Sequence, residues 1–530
     1  MFAVVKAQDL SAEPLSLLLL DSQEIGIAGQ QVELLDSNGN STERQTITDA
    51  NGLAVFEVET NVRYRMRVYH NGGSYRTNRA RAGDLVEVET ARSVLRLRAS
   101  SNGGIAGQRV ELLISNSAPT GVEGVTDASG VAGFEILPGY RHRFRVHHNG
   151  GDYVSARVTY GRDITVRTRS SLLRLRDSGN AGIADQQVEL LLADRTPTGF
   201  AGATDGSGVA AFEILPNYRH RFRVHHNGGN YTTNQLTYGR DATVRTRSSL
   251  LRLIASNNVG IGNQQVELLL ADGTPTGFVG ATDNAGRLAF EILPAYAHRY
   301  LVHHNGGTYT SEELGYGDDA QVQTQLSELH LVDSGGSGII GQRVELLLAN
   351  GTPTGFAGTT DAAGRLAFEI LPVYAHRYLL HHNGGMYSTQ ELVYGEDAQV
   401  QTQRSELTLL NVVEQPVAGA QVELVRQDGS ATGRIVLTTA DGRGGFEILP
   451  DYAHFFAIHF EDETHLSEEL VYGQDTVFIL PTAELYVFMR RTTALYNTEL
   501  RLPVLARGNV DQSIFAAETF IAYDHNTRQN

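Results

Sequence analysis

"QQVELLLADGTPTGFVGATDNAGRLAFEILPAYAHRYLVHHNGG" occupies residues 264–307, and its periodicity decides the fold. Val266, Leu268 and Leu270 share one face of an extended strand, and Leu288, Phe290 and Ile292 do the same in the next apolar stretch. The intervening ADGTPTG and TDNAG are turn chemistry, and Pro294 fits a strand end. Tyr296, His298, Tyr300, Val302 and His304 then alternate against Ala297, Arg299, Leu301 and His303. The Asn-Gly that follows, as at Asn149-Gly150, suits the positive φ angles of a tight hairpin turn. The period is two throughout, which describes about seven short strands in a small antiparallel β-sandwich.

The same stretch recurs. Val-Glu stands at 32–33, 110–111, 188–189, 266–267, 344–345 and 422–423, and Phe-Glu at 56–57, 134–135, 212–213, 290–291, 368–369 and 446–447, always 78 residues apart with no insertion or deletion. A fixed register over six copies implies stacked units. The expected fold class is therefore all-β: a tandem array of six immunoglobulin-like sandwich repeats forming a stiff rod. The divisions expected are an N-terminal strand segment at 1–21, repeats at 22–99, 100–177, 178–255, 256–333, 334–411 and 412–489, and a divergent segment at 490–530.

GQQVELLLADGTPTGF, TDNAGRLAFEILP and the tyrosine strand after them together resemble the tandem modules known as collagen-adhesin B-type (Cna-B) or carboxypeptidase-regulatory-like domains. That resemblance covers all six repeats and implies bacterial surface stalks, pilins or adhesins. Many such modules carry a lysine that forms an internal isopeptide bond. Lys6 is the only lysine here and lies ahead of the repeats, so that cross-link is excluded and Glu111 and Glu135 are not its catalytic acids. The repeats must be held by packing and strand pairing alone.

Composition supports this class. Apolar residues make up 41% of the chain, enough for packed cores, while 56 glycines indicate many turns. With no cysteine, disulfides and thiolate metal sites are excluded. The net charge of −17 argues against a nucleic-acid partner. Leu17–Leu20 is too short to insert into a membrane, and the first residues lack a signal-peptide layout. The acidic surplus falls in the last three repeats, whereas the first three are mildly basic; complementary halves suit head-to-tail or side-by-side self-association.

Boundaries such as VRTRSSLLRLR (166–176) and VQTQLSELHL (322–331) contain neither Gly nor Pro, so one sandwich is expected to run almost directly into the next. Residues 1–12 align with the closing strand of a repeat, and AELYVFMRR (483–491) with an opening one. Phe2, Val4, Val5 and Lys6 are thus the candidate assembly strand, able to complete an acceptor at the C-terminal end of another copy by strand addition; the alternative is that each end folds back as a cap.

No catalytic site, cofactor site or metal site is expected. No G-x-S-x-G elbow or phosphate loop is present, and LPTAE (480–484) lacks the apolar tail that a sortase signal needs. His142 and His148, with their equivalents, fall on the core face. The outward His147 column has no ligand partner at fixed spacing, and the Glu111 and Glu135 columns are expected on solvated faces, within reach of cross-strand arginines. The candidate exposed hairpin-tip binding residues are His147, Asn149 and Tyr153, repeated as His225, Asn227 and Tyr231, as His303, Asn305 and Tyr309, and as His381, Asn383 and Tyr387. Repeated along a rod, they suit a glycan or cell-surface ligand held by many weak contacts.

The reading that follows is a non-enzymatic structural protein of an extracellular or cell-surface fibre, stalk or filament. Its alternatives are an adhesin that binds through the hairpin tips or the C-terminal segment, and a component of a secretion or phage-tail apparatus.

Overall fold

The computed structural model describes residues 12–461, 463–481, 485–487 and 504–506. The first repeat contains seven strands: β1 (Ala12–Leu20), β2 (Gln31–Leu35), β3 (Ser41–Ile47), β4 (Leu53–Glu59), β5 (Arg65–His70), β6 (Gly73–Arg76) and β7 (Leu85–Glu89). They form two sheets, ordered β4-β1-β7 and β3-β2-β5-β6. The two sheets enclose a dry core in which Leu15, Leu17 and Leu19 of β1 face Val32, Leu34, Met66 and Val68, all fully buried. Burying each such leucine contributes about 1.5–3 kcal/mol.

Five further sandwiches repeat the pair of sheets, one of three strands and one of four, the second adding a two-residue strand at Val158–Thr159. Six immunoglobulin-like sandwiches therefore account for the described residues from 12 to 480.

Two details differ from the sequence-based expectation. The sandwich is not wholly antiparallel, because β1 pairs antiparallel with β4 but parallel with β7. The parallel pair lets the array propagate: a last strand running in the same direction as the first leaves the sandwich at the far end from its entry. After Thr90 alone, the chain becomes β8 (Ala91–Arg98), the central strand of the second sandwich, pairing with Val131–Ile136 and Ile164–Arg167.

Each sandwich therefore opens with such a strand, which places the divisions nine or ten residues earlier than expected; residues 12–20, assigned to a segment ahead of repeat one, are its central strand. A sequence period fixes spacing but not phase. The second detail concerns QVELLL. Pairing with the next strand shifts between Glu267 and Leu269, so Leu269 is buried beside Leu268 and Leu270 is only half-buried.

The T-D-x-x-G turns pin the sheets together. Asp127 Oδ1 accepts hydrogen bonds from the amides of Ser129 and Val131 at 2.8 and 3.0 Å. Gly130 has φ 72°, and a Cβ there would stand 2.3 Å from the Leu97 carbonyl oxygen, so only glycine fits. At the hairpin, Asn149 and Gly150 have φ 50° and 76°, the expected tight turn.

The candidate assembly residues Phe2, Val4, Val5 and Lys6 lie outside the described residues, as does nearly all of 490–530. Repeat six carries a full set of seven strands, with its closing strand Thr476–Ile479 already paired to Leu407–Leu410. The acceptor expected at 490–530 therefore lies beyond this completed sandwich and, but for residues 504–506, outside the described residues.

Candidate functional site

The hairpin tips lie at the joints between repeats. One threonine separates each sandwich from the next, at Thr90, Thr168, Thr246, Thr324 and Thr402, and all five are buried. Joint by joint, one glutamate from the following repeat gathers the donors of the preceding one. Glu135 accepts from Ser22 through both its amide (3.2 Å) and its hydroxyl (2.7 Å), and from the Thr90 hydroxyl at 2.6 Å. Glu213, Glu291, Glu369 and Glu447 hold the equivalent serine and threonine in the other four joints. The Phe-Glu column expected on a solvated face is thus an interdomain clamp.

The Asn-Gly-Gly stretch forms a socket. Asn71 Nδ2 donates to the Glu135 carbonyl at 2.8 Å, and Asn149, Asn227, Asn305 and Asn383 repeat that bond across the next four joints at 2.9–3.0 Å. The two glycines are needed for close approach rather than for the turn alone. A Cβ on Gly150 would meet Thr198 Cβ at 2.4 Å, and one on Gly151 would meet the Tyr218 ring at 2.8 Å, both in the following repeat.

Leu215 of repeat three is fully buried within the core of repeat two, as Leu137 is within that of repeat one, while Tyr140 and Tyr218 bridge the two cores they separate. Tyr238 OH closes the seam by donating to the Arg167 carbonyl at 2.7 Å.

The twelve candidate tip residues therefore do not form one exposed site. Asn149, Asn227, Asn305 and Asn383 belong to the joints. Tyr153, Tyr231, Tyr309 and Tyr387 are half-buried against the cores. His147, His225, His303 and His381 stay half-exposed, but each has an acidic partner that spacing alone did not reveal. His147 Nε2–H donates to Glu111 at 3.0 Å, and Arg145 reaches the same carboxylate at 3.0 Å. His225, His303 and His381 meet Glu189, Glu267 and Glu345 at 2.8–3.1 Å. Glu33 and Glu111 are buried, contrary to a solvated reading of that column, because strand pairing sets their arginine partners directly opposite. Beside His147, Gln108, Arg109, Asp152 and the half-exposed Phe200 of the next repeat line a shallow cleft.

The core-face histidines are where expected. His142, His220, His298, His376 and His454 are fully buried. Burial pulls the His142 and His220 imidazoles down to about 4, so both are neutral at pH 7. His220 Nε2 and Ser171 Oγ are hydrogen-bonded at 2.8 Å, and the serine also donates to the Arg240 carbonyl. A buried hydroxyl whose proton is committed elsewhere is not a nucleophile. Among the described residues, no three His, Asp or Glu side chains gather as a metal site, and no helix is long and apolar enough to cross a membrane.

Glu213→Ala would leave the Ser100 and Thr168 donors without their carboxylate. Hydrogen bonds to charged groups contribute about 1.5–3 kcal/mol each, so amide exchange at Ser100 is expected to accelerate at least tenfold while exchange in the core strands is unchanged. Unaltered exchange at Ser100 would mean that the clamp adds nothing to the joint.

No protein-family model and no curated protein matches the chain. It is similar to the Bacillus anthracis TIE protein (11% identity, 75% of each chain covered, TM-score 0.14). It is also similar to the minor pilin of Streptococcus agalactiae (15% identity, 29% of this chain and 94% of that one, TM-score 0.19). Two B repeat units of the collagen-binding protein of Staphylococcus aureus match as well (14% identity, 61% of this chain and 96% of that one, TM-score 0.13).

Proposed function

We propose that this chain is a non-enzymatic structural element, a stalk or fibre subunit of a cell surface whose task is to hold two ends apart. One observation carries the reading: five joints built to one plan, each with a single buried residue as linker and a packed, hydrogen-bonded seam. Such joints resist bending, because opening one exposes a plug leucine and strips the clamp glutamate of its donors.

Negative-stain microscopy of the purified chain tests this. One narrow distribution of end-to-end distances is expected, whereas a broad distribution of bent shapes would refute it. If end-to-end polymers form, the finer proposal is head-to-tail strand addition by residues 1–8, and deleting those residues should abolish the polymers.

A second reading is favoured by the cleft beside His147. Phe278 and Phe356 stand half-exposed at the positions equivalent to Phe200, so an exposed aromatic face recurs in repeats three, four and five. Aromatic faces of this kind suit a glycan bound at many weak sites. Binding on a glycan array that disappears in a combined Phe200, Phe278 and Phe356→Ser variant is the expected result for an adhesin.

A further inference from the structure

The seam has two halves, and every internal joint matches them. The socket is supplied by repeats one to five: in repeat one it comprises Ser22, Asn71, Gly72, Gly73 and Thr90. The plug is supplied by repeats two to six: in repeat two it comprises Glu135, Leu137, Tyr140 and Tyr160, whose hydroxyl donates to the Glu89 carbonyl at 2.9 Å.

The two outer halves lack this chemistry. Repeat six, the last of the six, carries Val412, Glu461, Asp462, Glu463 and Leu480 at the five socket positions. Repeat one, the first of the six, keeps Glu57 but carries Glu59, Val62 and Ala82 where the plug has Leu137, Tyr140 and Tyr160. Both glycines that admit the neighbouring threonine and tyrosine are gone from the sixth socket, and the leucine that enters the neighbouring core is gone from the first plug. Glu57 and Glu59 at one face and Glu461 and Glu463 at the other are exposed, so apposing the two faces would bring like charges together.

We propose that these substitutions blank the two outer faces against a second copy of this chain, so that the seam cannot join repeat six of one copy to repeat one of another. The seam fits neighbouring repeats of this chain, and its two outer halves are built to refuse a second copy. An end-to-end polymer must then be joined by residues other than the seam. The proposal rests on the joint geometry and is independent of the surface role.

Two full-length experiments test it. A socket graft (Val412→Ser, Glu461→Asn, Asp462→Gly, Glu463→Gly and Leu480→Thr) and a plug graft (Glu59→Leu, Thr60→Pro, Val62→Tyr and Ala82→Tyr) are each expected to sediment alone as the wild type does. Mixed, they are expected to form a one-to-one complex at least tenfold tighter than any wild-type self-association. Conversely, Ser178→Val, Asn227→Glu, Gly228→Asp, Gly229→Glu and Thr246→Leu carry the blanked residues into the joint between repeats three and four. Trypsin is then expected to cut at Arg245 or Arg247 at least tenfold faster than in the wild type, leaving folded fragments on either side. A graft mixture that sediments as separate chains, or a blanked internal joint as resistant as the native one, would overturn the proposal.

Discussion

Replacing Leu215 by aspartate is expected to uncouple repeats two and three while leaving the strands of both intact. Leu215 belongs by sequence to repeat three yet is fully buried in the hydrophobic cluster of repeat two. Truncating a buried leucine to alanine costs about 2–5 kcal/mol. An ionised carboxylate with no partner costs more, so the seam is expected to open rather than bury it. In a quasi-one-dimensional array, stability is the sum of repeat terms and interface terms, and this substitution removes one interface. Urea unfolding should broaden or divide, and trypsin should cut at Arg167 or Arg169, which flank the buried Thr168. Glu59→Ala, at the equivalent position of repeat one, is the control and should change neither readout. A Leu215→Asp chain that unfolds in one transition with the native midpoint would show that the repeats are not coupled through their cores.

The second large effect is a loss of stability in mild acid. Burial lowers the imidazoles of ten histidines below their ordinary 6.5, bringing His142, His220 and His382 down to about 4. A base whose folded pKa is depressed binds its proton more readily when unfolded. The native state therefore holds its full stability above about pH 6.5 and loses it as the pH falls through 6.5 towards 4. For a fully buried imidazole such as His220, the loss by pH 4 is on the order of 2–3 kcal/mol. At His148 and His226, the neighbouring Glu213 and Glu291 carboxylates offset part of the burial.

Thermal melts at pH 7.5, 6, 5 and 4 should show the midpoint falling steadily within that window. Repeat one carries Leu15 and Tyr64 where repeat three has Ser171 and His220. The double substitution Ser171→Leu, His220→Tyr should therefore flatten the pH dependence by one histidine's share. A midpoint that is level from pH 7.5 to 5 would contradict the burial of these groups.

Much of the sandwich was legible from local pattern. Tyr296, His298, Tyr300, Val302 and His304 alternate, and all five are buried. The absence of Gly and Pro at the boundaries predicted a direct passage between sandwiches, and the linker proved to be one residue. The Glu135 column and the asparagine of Asn-Gly-Gly were misplaced for a common reason. Their partners lie in the next sandwich, 113 residues from Glu135 to Ser22 and 64 from Asn71 to Glu135, and alternation carries no information at that range.

A signal was nevertheless present in the repeat itself. Asn-Gly-Gly is missing only from the sixth copy and Leu-Pro-x-Tyr only from the first, as expected for two halves of one joint that are each needed at the five internal joints.

By itself the sequence determined the period, the strand character, the turn positions and which side chains point inward, because these follow from the two-residue pleat and from the φ preferences of Gly, Asn and Asp. Only the tertiary structure decided where one sandwich ends, that its first and last strands run parallel, and that the hairpin tip is a socket. Those features are set by which strand lies beside which and by how closely two surfaces approach, and both are properties of the packed chain rather than of any stretch of it.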